Sequence, residues 1–250
     1  MRFRLKAFGL HLTGSACALT LVLGGLYLGW YRWPGWYLTG VVRILLIVGI
    51  VDLALGPTLT LLIANPRKPR RELARDIAVI VCVQLVALVY GATTLWRGRP
   101  LYYTFSVDRL EIVQASDLEA NEIALAQKHN PALAPHWYNR PRWVWAALPE
   151  SSEATKIVGA AVFGGPDIID MPRYFRAWNE ALPSLRLKLA SVNDIPSLSR
   201  AGKEALKKRM TTLGLAPAQR NALLMWGHPR LAVAVFDPDT LRIRAILKAD

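Results

Sequence analysis

Three long apolar runs occupy the first hundred residues and constrain everything else about the chain. Ala7 to Tyr31 contains no Lys, Arg, Asp or Glu, Ile44 to Ala64 contains only Asp52, and Ile77 to Trp96 contains none. A helix rises about 1.5 Å per residue, so about 20 apolar residues cross the roughly 30 Å hydrocarbon core of a bilayer. A helix apolar on every side needs apolar surroundings on every side. The pattern therefore predicts a membrane protein with three transmembrane α-helices.

The charges divide the chain in two. Residues 1–96 hold 13 of the 49 charged side chains, and residues 97–250 hold the other 36. The second segment is long enough for one hydrophobic core. The expected organisation is a three-helix transmembrane region over 1–96 and a soluble domain over 97–250. The formal net charge is +13, but the bases of the soluble part are dispersed. Only Lys207-Lys208-Arg209 forms a run, and it suits a solvated helix face better than a nucleic-acid footprint. No nucleic-acid partner is expected.

Orientation follows from the bases that flank the spans. Arg2, Arg4 and Lys6 precede the first, and Arg67, Lys68, Arg70, Arg71 and Arg75 lie between the second and third. The opposite connection holds only Arg32 and Arg43. The positive-inside rule places the N-terminus in the cytoplasm and the soluble domain on the outer side. The apolar run of the first span is longer than that of a signal peptide, and it reads as a retained helix. The outer connection carries Trp30, Tyr31, Trp33, Trp36 and Tyr37, rings that favour the lipid headgroup layer.

Asp52 is the most informative single residue. A carboxylate at mid-bilayer costs about 2.5–3.5 kcal/mol on insertion scales, so it should face a partner rather than lipid. Gly49, Gly56 and Thr60 share its helix face, and Pro57 permits a kink. Gln84, Ala87, Gly91 and Thr94 form a comparable stripe on the third span, and His11, Ser15, Ala18, Gly25 and Gly29 on the first. Small residues allow close helix approach, and polar ones hydrogen-bond across. Three uses are open: the stripes hold the bundle together, Asp52 and Gln84 offer a docking face to another membrane helix, or Asp52 serves a proton relay.

The soluble part reads as a mixed α+β domain. Strands are expected over 101–107, 111–113, 143–147, 223–226, 231–236 and 241–247, the last two joined by a turn at Asp237-Pro238-Asp239. Helices are expected over 117–128, 152–163, 171–182 and from Ser197 or Ser199 to Leu213, with Gly214 as C-cap.

Recognisable chemistry is missing. Both cysteines, Cys17 and Cys82, fall within spans, so the soluble part offers no disulfide and no thiol. His129, His136 and His228 are isolated. Asp167 and Asp170 could form a carboxylate pair but read as solvated loop acids. No nucleophile elbow, P-loop or dinucleotide fingerprint is present. No catalytic residue, metal site or cofactor is expected, and the chain does not read as an enzyme.

Several segments together carry a family likeness. They are Lys6-Ala7-Phe8 and His11 in the first span, Asp52, Gly56 and Pro57 in the second, and Asp76, Gln84, Leu85, Tyr90 and Gly91 in the third. Arg99-Pro100, Phe105 and Asp108-Arg109 follow the membrane exit. Over about residues 5–118 the chain resembles the TfpX/TfpZ family of type IV pilin accessory proteins. The resemblance implies a multi-pass bacterial inner-membrane protein with a periplasmic C-terminal domain. It also implies a chaperone-like role in assembling a type IV major pilin, with membrane lipid and other pilus assembly components as further partners. The expected binding residues, on the membrane face, are Asp52, Gly56, Pro57, Gln84 and His11. The rival readings are a membrane-bound enzyme modifying pilin or envelope glycans, and a sensor or regulator of pilus dynamics.

Overall fold

The computed structural model describes residues 1–149, 152–195 and 197–249. They form two compact units, Met1–Arg32 with Val41–Gly98, and Trp33–Gly40 with Arg99–Asp250.

The first unit is built on three helices, Arg2–Gly29, Val42–Ile63 and Arg70–Arg97, each long and apolar enough to cross a membrane. The shortest has 22 residues, about 33 Å at the rise of an α-helix. Leu19, Val48 and Leu88, one from each helix, meet in a small apolar core. The third helix buries Ile80, Gln84, Leu88, Gly91 and Leu95, one stripe at helical spacing. Gly91 is there because a Cβ would run into the Val48 side chain. Gly25, Gly29 and Gly49, by contrast, have open space where a Cβ would stand. The glycine stripes read from the sequence thus serve helix packing only in part. At the ends of the first and third helices the Trp30 and Trp96 rings pair edge to face, 5.0 Å apart.

The second helix is not regular. Residues Ile50–Leu55 form a π-helical stretch, and Pro57 opens the α-helical turns that follow. Proline lacks an N–H and clashes with the carbonyl four residues back in a regular helix, and a wider turn before it removes the clash.

The second unit is a mixed seven-stranded sheet in the order β4-β3-β1-β2-β5-β6-β7. The strands are β1 Pro100–Ser106, β2 Arg109–Gln114, β3 Arg142–Ala146, β4 Phe175–Ala177, β5 Ala222–Trp226, β6 Leu231–Phe236 and β7 Ile243–Lys248. The central pairs β1–β3 and β2–β5 are parallel and the others antiparallel. Parallel pairing requires crossovers that cover the sheet, and every residue of β1 is buried. On one face, Tyr103, Phe105, Met225 and Ala234 pack with Leu185 of the helix Leu182–Lys188. On the other, Val144 packs with Ile157 of Ser152–Val162, and Val233 with Leu206 of Arg200–Thr212. The architecture is therefore three apolar helices and a mixed α+β domain, as expected from the sequence.

Three local readings change. The segment 171–182 is not a helix: it makes two 3₁₀ turns around the short edge strand β4. Phe175 and Ala177 pair with Ala146 and Val144 of β3, and Asn130 Nδ2 donates to the carbonyls of Pro172 and Phe175. An available sheet edge outweighs helix propensity there. The helix after β2 begins at Ala120 rather than Asp117, because Asp117 accepts from the Gln114 N–H and closes a turn. Ser199 does cap its helix, accepting from the Gly202 N–H at 3.0 Å, and Gly214 follows the helix end at φ +67°.

The third change concerns the aromatic connection between the first two spans. Trp33–Gly40 belongs to the second unit, where Tyr37 and Leu38 lie in the same core as Phe105, Leu110 and Met225. Gly35–Leu38 makes one helical turn. The Tyr37 hydroxyl donates to the Leu231 carbonyl at 3.1 Å, and Lys248 and Arg230 lie over the Tyr37 ring. Gly227 lacks a side chain where a Cβ would come within 2.5 Å of the Leu38 carbonyl oxygen. Tyr37 and Leu38 are core residues of the sheet domain rather than headgroup anchors.

Candidate functional site

Residues of all three helices of the first unit converge on one polar cluster. His11 and Ser15 lie one turn apart on the first helix, Asp52, Gly56 and Thr60 at intervals of four on the second, and Gln84 in the buried stripe of the third. His11 Nδ1 meets the Thr60 hydroxyl at 2.6 Å, and His11 Nε2 meets Gln84 Oε1 at 2.5 Å. An amide oxygen only accepts, so Nε2 carries the proton in that bond. The Gln84 amide nitrogen donates to the Ser15 hydroxyl at 3.3 Å and to the main-chain carbonyl of Asp52 at 3.0 Å.

That last bond follows from Pro57. In the π-helical stretch the Gly56 N–H bonds to the Val51 carbonyl, five residues back. The next N–H in the series would serve Asp52, but position 57 is proline and has none. The Asp52 carbonyl is left over in a place where water cannot satisfy it, and Gln84 supplies the missing donor. Gly56 makes room, since a Cβ there would collide with the Gln84 side chain. Pro57, Gly56 and Gln84 therefore act as one device.

The Asp52 carboxyl group is different. Asp52 is 3% exposed, and its carboxyl oxygens form no hydrogen bond of regular geometry, but the Gln84 amide and the His11 ring lie close beside them. Asp52 helps line a cavity of about 390 Å³ between the first and third helices, with His11, Ser15, Thr60 and Gln84. The structure thus brings together His11, Asp52, Gly56 and Gln84, with Pro57 acting through the backbone. It adds Ser15 and Thr60, whose helical spacing from His11 and Asp52 marked them as members of the same stripes. Asp52 and Gln84, read from the sequence as one docking face, meet each other: the Gln84 amide donates to the Asp52 main-chain carbonyl and also lies beside the Asp52 carboxyl group.

The second unit shows no comparable convergence. Among the described residues, no group of three or more His, Cys, Asp or Glu lies where it could hold a metal ion. Asp167 and Asp170 close a 3₁₀ turn, Asp167 accepting from the Ile168 N–H and Asp170 from the Asp167 N–H. Burial pushes the Asp170 carboxyl up from its ordinary range, with the Asp167, Asp117 and Glu119 charges adding to the effect. Burial also raises Glu111, against the opposing pull of Arg109, whose Nε donates to Glu111 Oε1 at 2.6 Å. Tyr102 is pushed up to about 12 by burial, while its hydroxyl donates to the Leu133 carbonyl. A cavity of about 390 Å³ beside His129, Arg173 and Arg176 is basic, but Arg173 is already paired with Glu122 at 2.8 Å. None of these groups joins a nucleophile to a base.

The chain is similar to fimbrial assembly proteins of Dichelobacter nodosus. It is 26% identical to the serogroup I protein over 187 residues, 74% of this chain and 70% of that relative. Identity to the serogroup E1 protein is 25% over the same shares. With the protein of serogroups C1 and C2 it is 28% over 124 residues, half of this chain and 95% of that relative. No family model matches the chain, and no solved structure matches it.

Proposed function

We propose that this chain, similar over three-quarters of its length to fimbrial assembly proteins, is a non-enzymatic accessory protein of type IV pilus assembly. It sits in the bacterial inner membrane, with a cytoplasmic N-terminus and a periplasmic sheet domain. It binds the major pilin in a chaperone-like manner. The observation that carries this reading is the similarity to the serogroup I fimbrial assembly protein. Three membrane-length helices support it, as does a polar cluster that closes hydrogen bonds among helices. A subunit with an apolar helix and a folded head would meet the helices in the bilayer and the sheet domain outside it.

Deletion of the gene in its native host tests the reading. The expected result is fewer surface pili, with pilin of unchanged intact mass retained in the membrane. Pilin that loses a covalent modification while pili persist would favour an enzyme acting on pilin instead. Normal pili with unchanged pilin would remove the assembly role.

A further inference from the structure

We propose that the turn His136–Asn139 of the sheet domain is a lipid anchor. Its Trp137 and Tyr138 rings sit in the headgroup layer of the bilayer that the three helices are long enough to cross. The proposal goes beyond the pilin-binding reading and does not rest on it.

Strand register and chain length place one end of the sheet beside that bilayer. β1 begins at Pro100, three residues after the third helix ends at Arg97. Three residues of extended chain reach about 10 Å. Pro100 pairs with Gln114, the last residue of β2. β5 runs parallel to β2 and ends at Trp226, opposite Glu111. The turn from β5 to β6, closed by the pair Trp226 and Leu231, is therefore toward the same end. Gly40 lies against Pro229 in that turn, two residues before the second helix begins at Val42. Two separate connections to the membrane-length helices thus leave from one end of the sheet, and covalent length alone holds that end close to the membrane.

The chain also enters β3 at this end. β3 is parallel to β1, with Arg142 opposite Tyr102. Just before it, the Asn139 N–H donates to the His136 carbonyl at 3.1 Å and closes a turn with Trp137 and Tyr138 at its tip. The two residues are 69% and 59% exposed. Their rings meet edge to face at 5.6 Å, and the His136 ring stacks on Tyr138. The segment leading to the turn is fixed. Arg142 donates to the carbonyls of Ala132, Leu133 and Ala134, each at 3.0 Å, and the Tyr102 hydroxyl donates to the Leu133 carbonyl. A loose loop could fold such rings onto its own domain, but this one is held with them outward.

The chemistry of the tip selects lipid headgroups. Indole and phenol have an apolar body and a polar edge, and both are satisfied where acyl chains give way to headgroups. Arg140, two residues on and exposed, adds a charge that anionic headgroups attract. A preformed turn loses little conformational freedom on contact. Tyr37, a ring expected in the headgroup layer, is taken up by the sheet core. Trp137 and Tyr138 offer rings to that layer from a different loop.

The test uses the full-length chain, reconstituted without other proteins into vesicles of phosphatidylethanolamine and phosphatidylglycerol. Cys17→Ala and Cys82→Ala remove the native thiols. A fluorophore is then attached at Tyr138→Cys or, as a control, at Val107→Cys. Val107 is exposed in the turn between β1 and β2, at the other end of the seven-residue β1 and about 20 Å along it. Both labels sit on turn tips, outside the core. A nitroxide on the lipid headgroups is expected to quench the fluorophore at 138 and to leave the one at 107 bright. Trp137→Ser should remove most of the quenching at 138. No quenching at 138, or equal quenching at both positions, would overturn the anchor. Quenching at 138 that is indifferent to Trp137→Ser would also overturn it, because the tethers alone would then hold the turn at the surface. A fluorophore at 138 that stays bright in these vesicles and is shielded only when pilin is added would assign the rings to a protein partner and overturn it too. The vesicles themselves contain no pilin, so failure of the anchor in them leaves the proposed function standing.

Discussion

The hydroxyl of Tyr37 donates to the carbonyl of Leu231, 194 positions later in the chain. Tyr37 lies in the short connection between two membrane-length helices, yet its ring is 1% exposed in the core of the sheet domain. Residues 33–40 are therefore part of the domain that the chain completes only at β7. Leu38→Ala should lower that domain's stability by about 2–5 kcal/mol, the usual effect of a fully buried leucine truncated. Tyr37→Phe should cost about 0.5–1.5 kcal/mol. Thermal unfolding of the detergent-solubilised protein measures both, and an unchanged transition for Leu38→Ala would show that the connection is dispensable.

The same relationship governs any exchange of domains. If the sheet domain selects the pilin, as a folded surface can better than small-residue helix packing, preference should move with that domain. Because Tyr37 and Leu38 are core residues, the exchanged piece must contain residues 33–40 together with 99–250. Exchange of 97–250 alone should give a poorly accumulating protein. Piliation scored with two different pilins distinguishes these cases. Preference that follows the three helices would make the Asp52–Gln84 cluster the selector.

Gln84 and Pro57 give a prediction that depends on backbone chemistry. Gln84 supplies the donor that Pro57 cannot. Gln84→Leu should destabilise the bundle, and less so when Pro57→Ala restores an N–H at position 57. A double-mutant cycle on thermal stability should show a coupling of about 1 kcal/mol or more. Strict additivity would mean the two residues act separately. Gly56→Ala should also destabilise, by about 1–3 kcal/mol through overpacking against Gln84, while Gly49→Ala, which meets nothing, serves as its neutral control.

Much of this site was legible in the sequence, and the reasons are physical. A carboxylate within an apolar run carries an energetic cost, and helical spacing placed Gly56 and Thr60 on its face and Ser15 on that of His11. The π-helical stretch was not legible, because a proline signals that the helix must adjust but not whether by kink or by wider turn. Nor was the insertion of residues 33–40. Tryptophan and tyrosine suit a headgroup layer and a sheet core equally well, and only the long-range pairing decides. The segment 171–182 failed for a related reason, since an edge strand of three residues has no periodicity to read.

Glu111 gives a pH dependence with a definite sign. Burial raises its carboxyl pKa in the folded domain above the ordinary value, so the folded state holds the proton more tightly than the unfolded chain. Its contribution to stability is present below the unfolded pKa and is lost as pH rises through the folded one. Burial raises Asp170 in the same direction. The sheet domain's melting temperature should fall as pH rises above the ordinary carboxylate range, and Glu111→Gln should flatten that slope. A slope of the opposite sign, or one unaffected by Glu111→Gln, would refute the assignment.

Orientation is checked by protease treatment of spheroplasts. The eight bases on one side of the helices predict that the sheet domain is digested without lysis. Protection until lysis would reverse the topology.

The central claim is that this chain binds a pilin. The direct measurement is purification of the full-length, tagged chain from membranes of its native host in mild detergent, followed by intact-mass analysis of what accompanies it. The account predicts the major pilin, at its ordinary mass, retained through purification. A preparation free of pilin, from membranes in which pilin is abundant, would contradict it.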